Sequence, residues 1–297
     1  MNTPAWMNGP PARLLLATDL SARCDRALER AAQLAEKWQA ELIALNVLEA
    51  PQAPDLVLAW AAHEDDETSN RIARKQLRQD LDGLDVRASM RVIRGEPENI
   101  IPAVANESDC GLIVTGMARN ETFGRFLTGN TVESLARSVP QPLLVVRNRV
   151  HGPYRRIIVA TDFSEFSRHA LHAATRFFPE CEVIIYHAAT GPMSTLPSDA
   201  GAQTNARLEI AKRECADFLA ASDLPTEVRD RLQIVVEPGP LETALARYVR
   251  EQNVDMVAIG TYGRNDLMNI LLGSTAAKLL DWLPCDTLIV RTPRDTD

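Results

Sequence analysis

The residues best suited to chemistry stand in the second half of the chain, where glycines and hydroxyl side chains recur at short spacing. Gly260-Thr-Tyr-Gly263 is followed, after nine further residues, by Gly273-Ser274-Thr275. Glycines three residues apart allow the backbone to turn with positive φ and to approach a ligand closely. A Gly-Ser-Thr sequence at a helix start offers free N–H groups, hydroxyls and the positive end of the helix dipole. The pattern predicts a phosphate cradle; ordinary turn glycines and a Ser/Thr helix cap are the alternative.

These residues belong to one of two copies of the same pattern. Arg13-Leu-Leu-Leu-Ala-Thr-Asp-Leu-Ser21 returns as Arg156-Ile-Ile-Val-Ala-Thr-Asp-Phe-Ser164, an offset of 143 residues. Five further pairs recur at an offset of 144: Gly95 and Gly239, Gly116 and Gly260, Gly129 and Gly273, Pro140 and Pro284, Arg147 and Arg291. Because order and spacing persist along both halves, we predict two tandem domains, residues 1–147 and 154–297, joined by a linker at 148–153.

Short apolar runs alternate with helical patterns in both copies. In the first copy we predict strands at 14–18, 41–48, 86–93, 112–115 and 143–146, and helices at 22–38 (capped by Ser21), 69–81, 97–106 and 131–138. In the second copy we predict strands at 157–161, 183–187, 232–236, 256–259 and 287–290, and helices at 165–178, 206–221, 241–251 and 275–283. This alternation implies parallel sheets with helices on both faces. Ligands of such folds bind beyond the carboxyl ends of the strands, where the strand order reverses.

The combination of motifs resembles the ATP-binding signature of the universal stress protein family. The resemblance rests on Gly-x2-Gly-x9-Gly-Ser after a strand and on Ala-Thr-Asp-Phe-Ser at the end of the second copy's first strand. It covers essentially the whole chain twice. It implies a tandem member made of two Rossmann-like (adenine nucleotide α-hydrolase-like) domains, each a five-stranded parallel sheet flanked by helices. It also implies that the ligand is ATP or AMP, with or without Mg²⁺.

The resemblance assigns roles to eight residues of the second copy. It implies that three residues hold the adenosine: Ala160, Asp162 and Ala188. It implies that five residues hold the phosphates: Gly260, Gly263, Gly273, Ser274 and Thr275. Asp162 suits an acceptor for ribose hydroxyls or an adenine amine; the alternative is an acidic residue stabilised by a helix amino terminus, since Asp19 holds the same place in the other copy. Ala276 stands where the family often has Ser or Thr, so one phosphate-binding hydroxyl is missing.

The first copy departs from the pattern. It keeps Gly116, but Arg119 replaces the second glycine and Asn130 replaces the serine. A residue other than glycine costs about 1–2 kcal/mol where positive φ is needed, and the arginine side chain would occupy phosphate space. Arg119 as a charged donor to a phosphate is the alternative. We favour a degenerate first copy and therefore predict one nucleotide per chain, bound in the second copy.

Composition narrows the class of protein. The chain has 32 Lys and Arg against 40 Asp and Glu, a net charge of −8 that disfavours nucleic acid as a partner. The five cysteines are scattered and form no CxxC pair, as is usual in a reducing compartment. No signal peptide and no apolar run of about 18 residues is visible, so we expect a cytoplasmic protein without a membrane partner.

Three histidines are further candidates. His169 and His172 lie three apart on a predicted helix and could share a face, but no third zinc ligand is evident, so we predict no metal site. His187 ends a predicted strand beside the expected pocket. We interpret it as a packing or hydrogen-bonding residue, with catalysis as the alternative.

Familiar catalytic motifs are missing from the sequence. It has no GxxxxGK[ST] loop, GxSxG elbow or HExxH pair, and no SGGxDS or HxGH motif. We therefore predict a regulatory nucleotide-binding protein of the stress response, at most a slow ATPase or autophosphorylating protein with Ser274 or Thr275 as the nearest acceptor. The alternatives are a scaffold with vestigial sites and a binder of apolar ligands around residues 55–62 or 192–202. The resemblance also implies an intrachain pseudo-dimer through the two last strands, and we expect two chains to form a homodimer.

Overall fold

The computed structural model of the protein describes residues 9–22, 24–49, 66–117, 119–120, 127–128, 130–189, 200–261 and 272–291. The first copy contains β1 (Arg13–Thr18), α1 (Asp25–Trp38), β2 (Glu41–Leu48), α2 (Asp66–Leu81), β3 (Arg87–Arg94), α3 (Pro97–Glu107), β4 (Leu112–Gly116), β5 (Arg119–Asn120), β6 (Leu127–Thr128), α4 (Asn130–Ser138) and β7 (Leu143–Val146). The second contains β8 (Arg156–Ala160), α5 (Glu165–Phe177), β9 (Glu182–Ala189), α6 (Ala200–Ala220), α7 (Thr226–Arg229), β10 (Gln233–Pro238), α8 (Leu241–Glu251), β11 (Met256–Gly260), α9 (Ser274–Trp282) and β12 (Asp286–Val290).

Ten strands form one continuous sheet in the order β10-β9-β8-β11-β12-β7-β4-β1-β2-β3. Each copy contributes five parallel strands, and the order reverses between β1 and β4 and between β8 and β11. The two halves meet where β12 pairs antiparallel with β7, with Leu288 opposite Leu144. The predicted fold of two tandem Rossmann-like domains is confirmed, and so is their pairing within one chain through the last strands.

The central strands are buried on both faces. Residues 14–16 of β1 and 157–159 of β8 are completely buried. Because successive side chains of a strand point to opposite faces, each of these runs contributes side chains to both hydrophobic cores, one on either side of the sheet. Both cores contain residues of both copies. Burying a leucine or isoleucine stabilises the fold by about 1.5–3 kcal/mol relative to exposing it, so the two copies stabilise each other.

Two pseudo-symmetric arginines reinforce the pairing. Arg147 follows β7 and donates from Nη2 to the carbonyl oxygen of Leu280 in the last turn of α9, at 2.6 Å. Arg291 follows β12 and donates from Nη1 to the carbonyl oxygen of Arg137 in the last turn of α4. The last carbonyls of a helix lack an intrahelical donor. Each copy therefore caps the carboxyl end of the other copy's last helix.

A buried polar cluster has no counterpart in this symmetry. Asp286 Oδ1 accepts the backbone N–H groups of Arg147 at 2.8 Å and Asn148 at 3.0 Å. Its Oδ2 accepts a hydrogen bond from Tyr154 Oη at 2.6 Å and lies 3.7 Å from Nε of Arg30. The cluster ties α1, the linker and β12 together.

The predicted cap of the first helix is wrong. Helix α1 begins at Asp25 with Cys24 as its N-cap and no side-chain cap, because a turn closed by Cys24 N–H and the Ser21 carbonyl at 2.8 Å comes first. The Ser21 hydroxyl instead donates to Asp19 Oδ1 at 2.7 Å. In the second copy Ser164 does cap α5 by accepting from the N–H of Ser167 at 3.3 Å. The short α7 and the β5–β6 hairpin were not expected, since neither has room for a periodic pattern.

Candidate functional site

The carboxyl ends of three adjacent strands of the second copy meet at the point where the strand order reverses. Strand β8 pairs with β11 on one side and with β9 on the other. This arrangement brings together Ala160 at the end of β8, Ala188 near the end of β9 and Gly260 at the end of β11. Asp162 follows two residues after β8. Gly263, the remaining predicted member of this edge, lies outside the described residues.

Helix α9 begins beside the end of β11. Gly273 is its N-cap and donates its N–H to the Thr261 carbonyl oxygen at 2.9 Å, which holds the helix start against the strand end. No side chain caps the helix, and Ser274 and Thr275 are exposed on its first turn. The first intrahelical bond runs from Ala277 N–H to the Gly273 carbonyl oxygen at 3.0 Å. The preceding N–H groups have no intrahelical acceptor and can serve an anion. A Ser/Thr cap is therefore not the role of Ser274 or Thr275.

The expected positive φ is wrong for Gly260, and Gly273 has no positive φ either. Gly273 has φ −54°, and Gly260 is a regular strand residue outside the positive-φ set. A Cβ atom on Gly260 would lie 2.8 Å from the carbonyl carbon of Phe166 and 2.9 Å from its oxygen. Real Cβ atoms do not approach backbone that closely. The glycine at 260 thus allows α5 to pack against β11.

Asp162 organises the turn between β8 and α5. Its Oδ1 accepts from Ser164 N–H at 3.1 Å and from Ser164 Oγ at 2.5 Å. Between them, Phe163 has a φ of 64°, and Leu20 has 60° at the same place in the first copy. Large side chains in this region cost about 1–2 kcal/mol, so the surrounding bonds must hold the turn. Asp162 lies two residues before Ser164, the N-cap of α5, and forms this turn, while its role in ligand binding stays a prediction.

The first copy's turn shows the electrostatic effect of these bonds. Asp19 Oδ1 accepts from Ser21 N–H at 2.9 Å and from Ser21 Oγ at 2.7 Å. Burial acts to raise the pKa of Asp19, but the hydrogen bonds from Ser21 and Cys24 outweigh it and lower that pKa. The carboxylate is therefore kept ionised by its own turn. Burial raises the pKa of the neighbouring Cys24 thiol to about 11, so this cysteine is no thiolate nucleophile at neutral pH.

His187 of β9 contacts the turn that follows β8 in the second copy. Its Nδ1 lies 2.8 Å from the Thr161 carbonyl oxygen, and its ring stacks on Phe163 with centroids 4.3 Å apart. Because a carbonyl only accepts, Nδ1 carries the proton. In the first copy Asn46 Nδ2 donates to the Thr18 carbonyl oxygen at 2.9 Å, the same bond from a different residue type. The interpretation of His187 as a packing and hydrogen-bonding residue is confirmed.

Thr261 is a site residue that the sequence analysis did not single out. Thr261 is only 1% exposed, and its Oγ1 has no hydrogen-bond partner among the described residues. It stands between the end of β11 and the start of α9, inside the quoted Gly260-Thr-Tyr-Gly263 motif. The corresponding residue of the first copy is Met117. Comparing the two copies in the sequence could have found it, because a hydroxyl side chain in the second copy matches a thioether in the first.

The other candidates are arranged differently. His169 Nδ1 lies 2.9 Å from the Glu165 carbonyl oxygen, while His172 Nδ1 is buried and has no hydrogen-bond partner within the described ranges. No group of three possible metal ligands occurs among the described residues. Arg119 pairs with Thr128 in the β5–β6 hairpin, so the first copy has a hairpin within the segment that corresponds to the phosphate loop.

Some sequence predictions fall on other parts of the chain. Of the apolar-ligand region proposed around residues 55–62 or 192–202, residues 55–62 and 192–199 lie outside the described residues, and so does Gly129. No helix within the described ranges is both long and apolar enough to cross a membrane. All five cysteines are free thiols.

The fold and this edge define a class: a tandem, doubly wound α/β protein with a strand-order reversal in each copy. The chain belongs to the universal stress protein family, whose sequence model matches residues 12–147 and again 153–291. A universal stress protein of Methanocaldococcus jannaschii is 25% identical over 155 residues, which are 50% of this chain and 89% of that protein. One from Mycobacterium tuberculosis is 23% identical over 230 residues, covering 75% of this chain and 78% of the relative.

Solved structures share the fold over the full length. A functionally unknown protein from Pseudomonas aeruginosa superposes with a TM-score of 0.65 at 20% identity, covering 98% of this chain and 95% of the other. A universal stress protein from Archaeoglobus fulgidus gives a TM-score of 0.64 at 18% identity, with 96% and 97% covered. At these identities the likeness concerns the fold.

Proposed function

We propose that the second copy binds an adenine nucleotide, ATP or AMP with or without Mg²⁺, and that the chain is a cytoplasmic regulatory protein of the stress response. The observation that carries the proposal is the uncapped first turn of α9, which begins beside the carboxyl end of β11 at the strand-order reversal. Backbone N–H groups and the helix dipole at such a turn favour phosphate.

The residues around this turn fit the phosphate end of a nucleotide. Ser274 and Thr275 are exposed on the first turn and supply hydroxyls. Thr261 Oγ1 is buried and has no partner in the part of the chain that the structure describes; a ligand hydrogen bond would recover the cost of about 1–3 kcal/mol for such a group. Gly260 and Gly273 complete the described part of the loop, and Gly263 is proposed as a further member.

The adenosine end would lie across the edge, at the ends of β8 and β9. Ala160 and Ala188 are small and 8% exposed each, so their methyl groups leave space for a flat base beside the strands. Asp162 is half-buried after β8, where its carboxylate would accept from the ribose hydroxyls. The turn held by Ser164 and Phe163 keeps that carboxylate in place before the nucleotide arrives.

Regulation, rather than rapid turnover, follows from the kind of groups that the described edge offers. Hydroxyls and backbone N–H groups bind a nucleotide, and its occupancy shifts a conformational equilibrium only by its differential affinity for the two states. We further propose that the first copy, with Met117 in place of Thr261 and Arg119 in a hairpin, binds no nucleotide, so that each chain binds one.

We also propose that two chains form a homodimer, which analytical ultracentrifugation would measure.

The test is thermal unfolding of the full chain with and without millimolar Mg-ATP or AMP, supported by calorimetric titration. A ligand at 100 times its Kd stabilises the protein by about 2.7 kcal/mol. Thr275→Glu places a carboxylate where the phosphates would bind, yet it suits a helix amino terminus and should not destabilise the free protein. Thr131→Glu makes the same change at the matching position of α4 and is the control.

The expected result is stabilisation in the wild type and in Thr131→Glu but not in Thr275→Glu. Stabilisation that disappears only in Thr131→Glu would move the site to the first copy and contradict the proposal. A wild type that neither gains stability nor releases heat with either nucleotide would leave a scaffold as the better description.

A further inference from the structure

A cleft of about 670 Å³ lies at the opposite end of the second copy's strands, against the linker. Its walls are the linker residues 148–149 and 151–153, Arg155, the first residues of β8, β9 and β12, the turn 253–255 before β11, and Arg30 of α1. Volumes of about 300–1,000 Å³ are usual for small-molecule sites. The cleft is separate from the edge that carries α9, because it faces the amino ends of the parallel strands.

The acidic side chains of the cleft already have partners. Asp255 Oδ2 accepts the backbone N–H groups of Arg155 at 2.7 Å and Arg156 at 2.9 Å. Glu182 pairs with Nε of Arg156 at 2.8 Å. Asp286 belongs to the buried junction cluster. The three carboxylates therefore find their hydrogen-bond partners within the protein. With Arg30, Arg149, Arg155 and Arg156 against Glu182, Asp255 and Asp286, four guanidinium groups face three carboxylates and the cleft keeps a net charge of +1.

Two guanidinium groups of the cleft remain available. Arg149 of the linker and Arg155 before β8 are exposed, and neither side chain has an acceptor or carboxylate partner among the described residues. His151, also exposed, adds a third basic side chain. The chain as a whole carries a charge of −8, so this concave surface is a local departure from the acidic background.

We propose that this cleft binds a small polyanion bearing two or more phosphate or carboxylate groups, with Arg149 and Arg155 as the charged contacts. The planar guanidinium fork matches both phosphate and carboxylate oxygens in bidentate geometry. The volume exceeds the needs of a single inorganic ion, which favours a ligand with more than one anionic group. Such a ligand contacts the linker and the second copy at once. The site is independent of nucleotide binding at α9.

The experiment is isothermal titration calorimetry of the nucleotide-free full chain at low ionic strength, where screening is weak. The probes are pyrophosphate and citrate, which separate phosphate from carboxylate recognition. The variant Arg149→Gln/Arg155→Gln removes both free guanidinium groups, and both are exposed, so folding should be unaffected. Arg71→Gln/Arg213→Gln makes the same charge change at exposed positions of α2 and α6 and is the matched control.

The expected result is binding of at least one probe by the wild type and the control pair, weakened about tenfold or more in the cleft pair. Binding of one probe alone identifies its class of anionic group. The proposal is overturned if neither probe binds the wild type, or if the cleft pair binds as tightly as the control pair. It is also overturned if Thr275→Glu, rather than the cleft pair, abolishes binding, because the anion would then sit at α9.

Discussion

Tyr154 donates a hydrogen bond of 2.6 Å to Asp286, joining the segment just before β8 to the last strand of the second copy in a buried contact. Burial, together with the Asp286 carboxylate, raises the pKa of Tyr154 well above its usual value, so the phenol stays protonated as the donor. The guanidinium of Arg30 lies 3.9 Å from the centroid of the Tyr154 ring. The residues matching Arg30 and Asp286 in the opposite copies are Ala173 and Pro142, so the cluster is specific to this junction.

Asp286→Asn should destabilise the protein by about 3–5 kcal/mol, because it leaves the buried charge of Arg30 without its carboxylate. The measurement is the midpoint and slope of urea unfolding, with circular dichroism as the probe. Glu209→Gln removes a carboxylate from an exposed ion pair with Lys212 and should leave the midpoint unchanged. Equal midpoints for the two variants would show that the buried cluster does not stabilise the junction.

Gly260→Ala should destabilise the fold by about 1–3 kcal/mol in the absence of any nucleotide, because the added Cβ meets the backbone of Phe166. Gly201→Ala in α6 is the control, since nothing lies within 4 Å of its added Cβ. Alanine there should be neutral or stabilising by roughly 0.5–1 kcal/mol. Chemical denaturation compares them. A Gly260→Ala protein as stable as the wild type would contradict the packing role of this glycine.

His172 should make stability depend on pH in a defined window. Burial, and then the charges of Arg176 and His169, lower its pKa from 6.5 to about 4. Between these values the unfolded chain binds a proton that the native state refuses, so stability falls as pH drops from about 6.5 to about 4. Since the ring is only half-buried, we expect a loss of roughly 1–2 kcal/mol.

The measurement for His172 is the free energy of unfolding at pH 7, 5.5 and 4.5. His172→Leu should flatten the slope across this window, whereas His169→Gln on the same helix should keep most of it. An unchanged slope in His172→Leu would assign the acid sensitivity to other groups.

His187 should be protonated at Nδ1 in its neutral form, because its partner, the Thr161 carbonyl oxygen, only accepts. Long-range ¹H–¹⁵N NMR of the imidazole reads the tautomer directly. His187→Asn should keep most of the stability, since Asn46 makes the same bond in the first copy. His187→Leu should cost about 1–3 kcal/mol by leaving a carbonyl unpaired. Detection of the Nε2–H tautomer would rule out this bond.

Much of the fold could be predicted because its signals are local. Strand β2 and helix α8 have the predicted bounds, Glu41–Leu48 and Leu241–Glu251, since an apolar run and a helical period depend only on neighbouring residues. The repeat then predicted two similar sheets. The prediction failed at Ser21. This serine does not cap α1, because its N–H and hydroxyl donate to Asp19 Oδ1 in the turn before the helix.

The sequence by itself determined that there are two α/β copies, that their strands alternate with helices, and which residues of the second copy gather at the strand ends. Only the tertiary structure decided that Gly260 packs against Phe166 and that basic side chains line a cleft at the linker. It also decided that the buried Thr261 hydroxyl has no hydrogen-bond partner among the described residues. The junction of Arg30, Tyr154 and Asp286 has no sequence signature either. Such contacts join residues far apart in the chain, and their energies arise only when folding removes water between them.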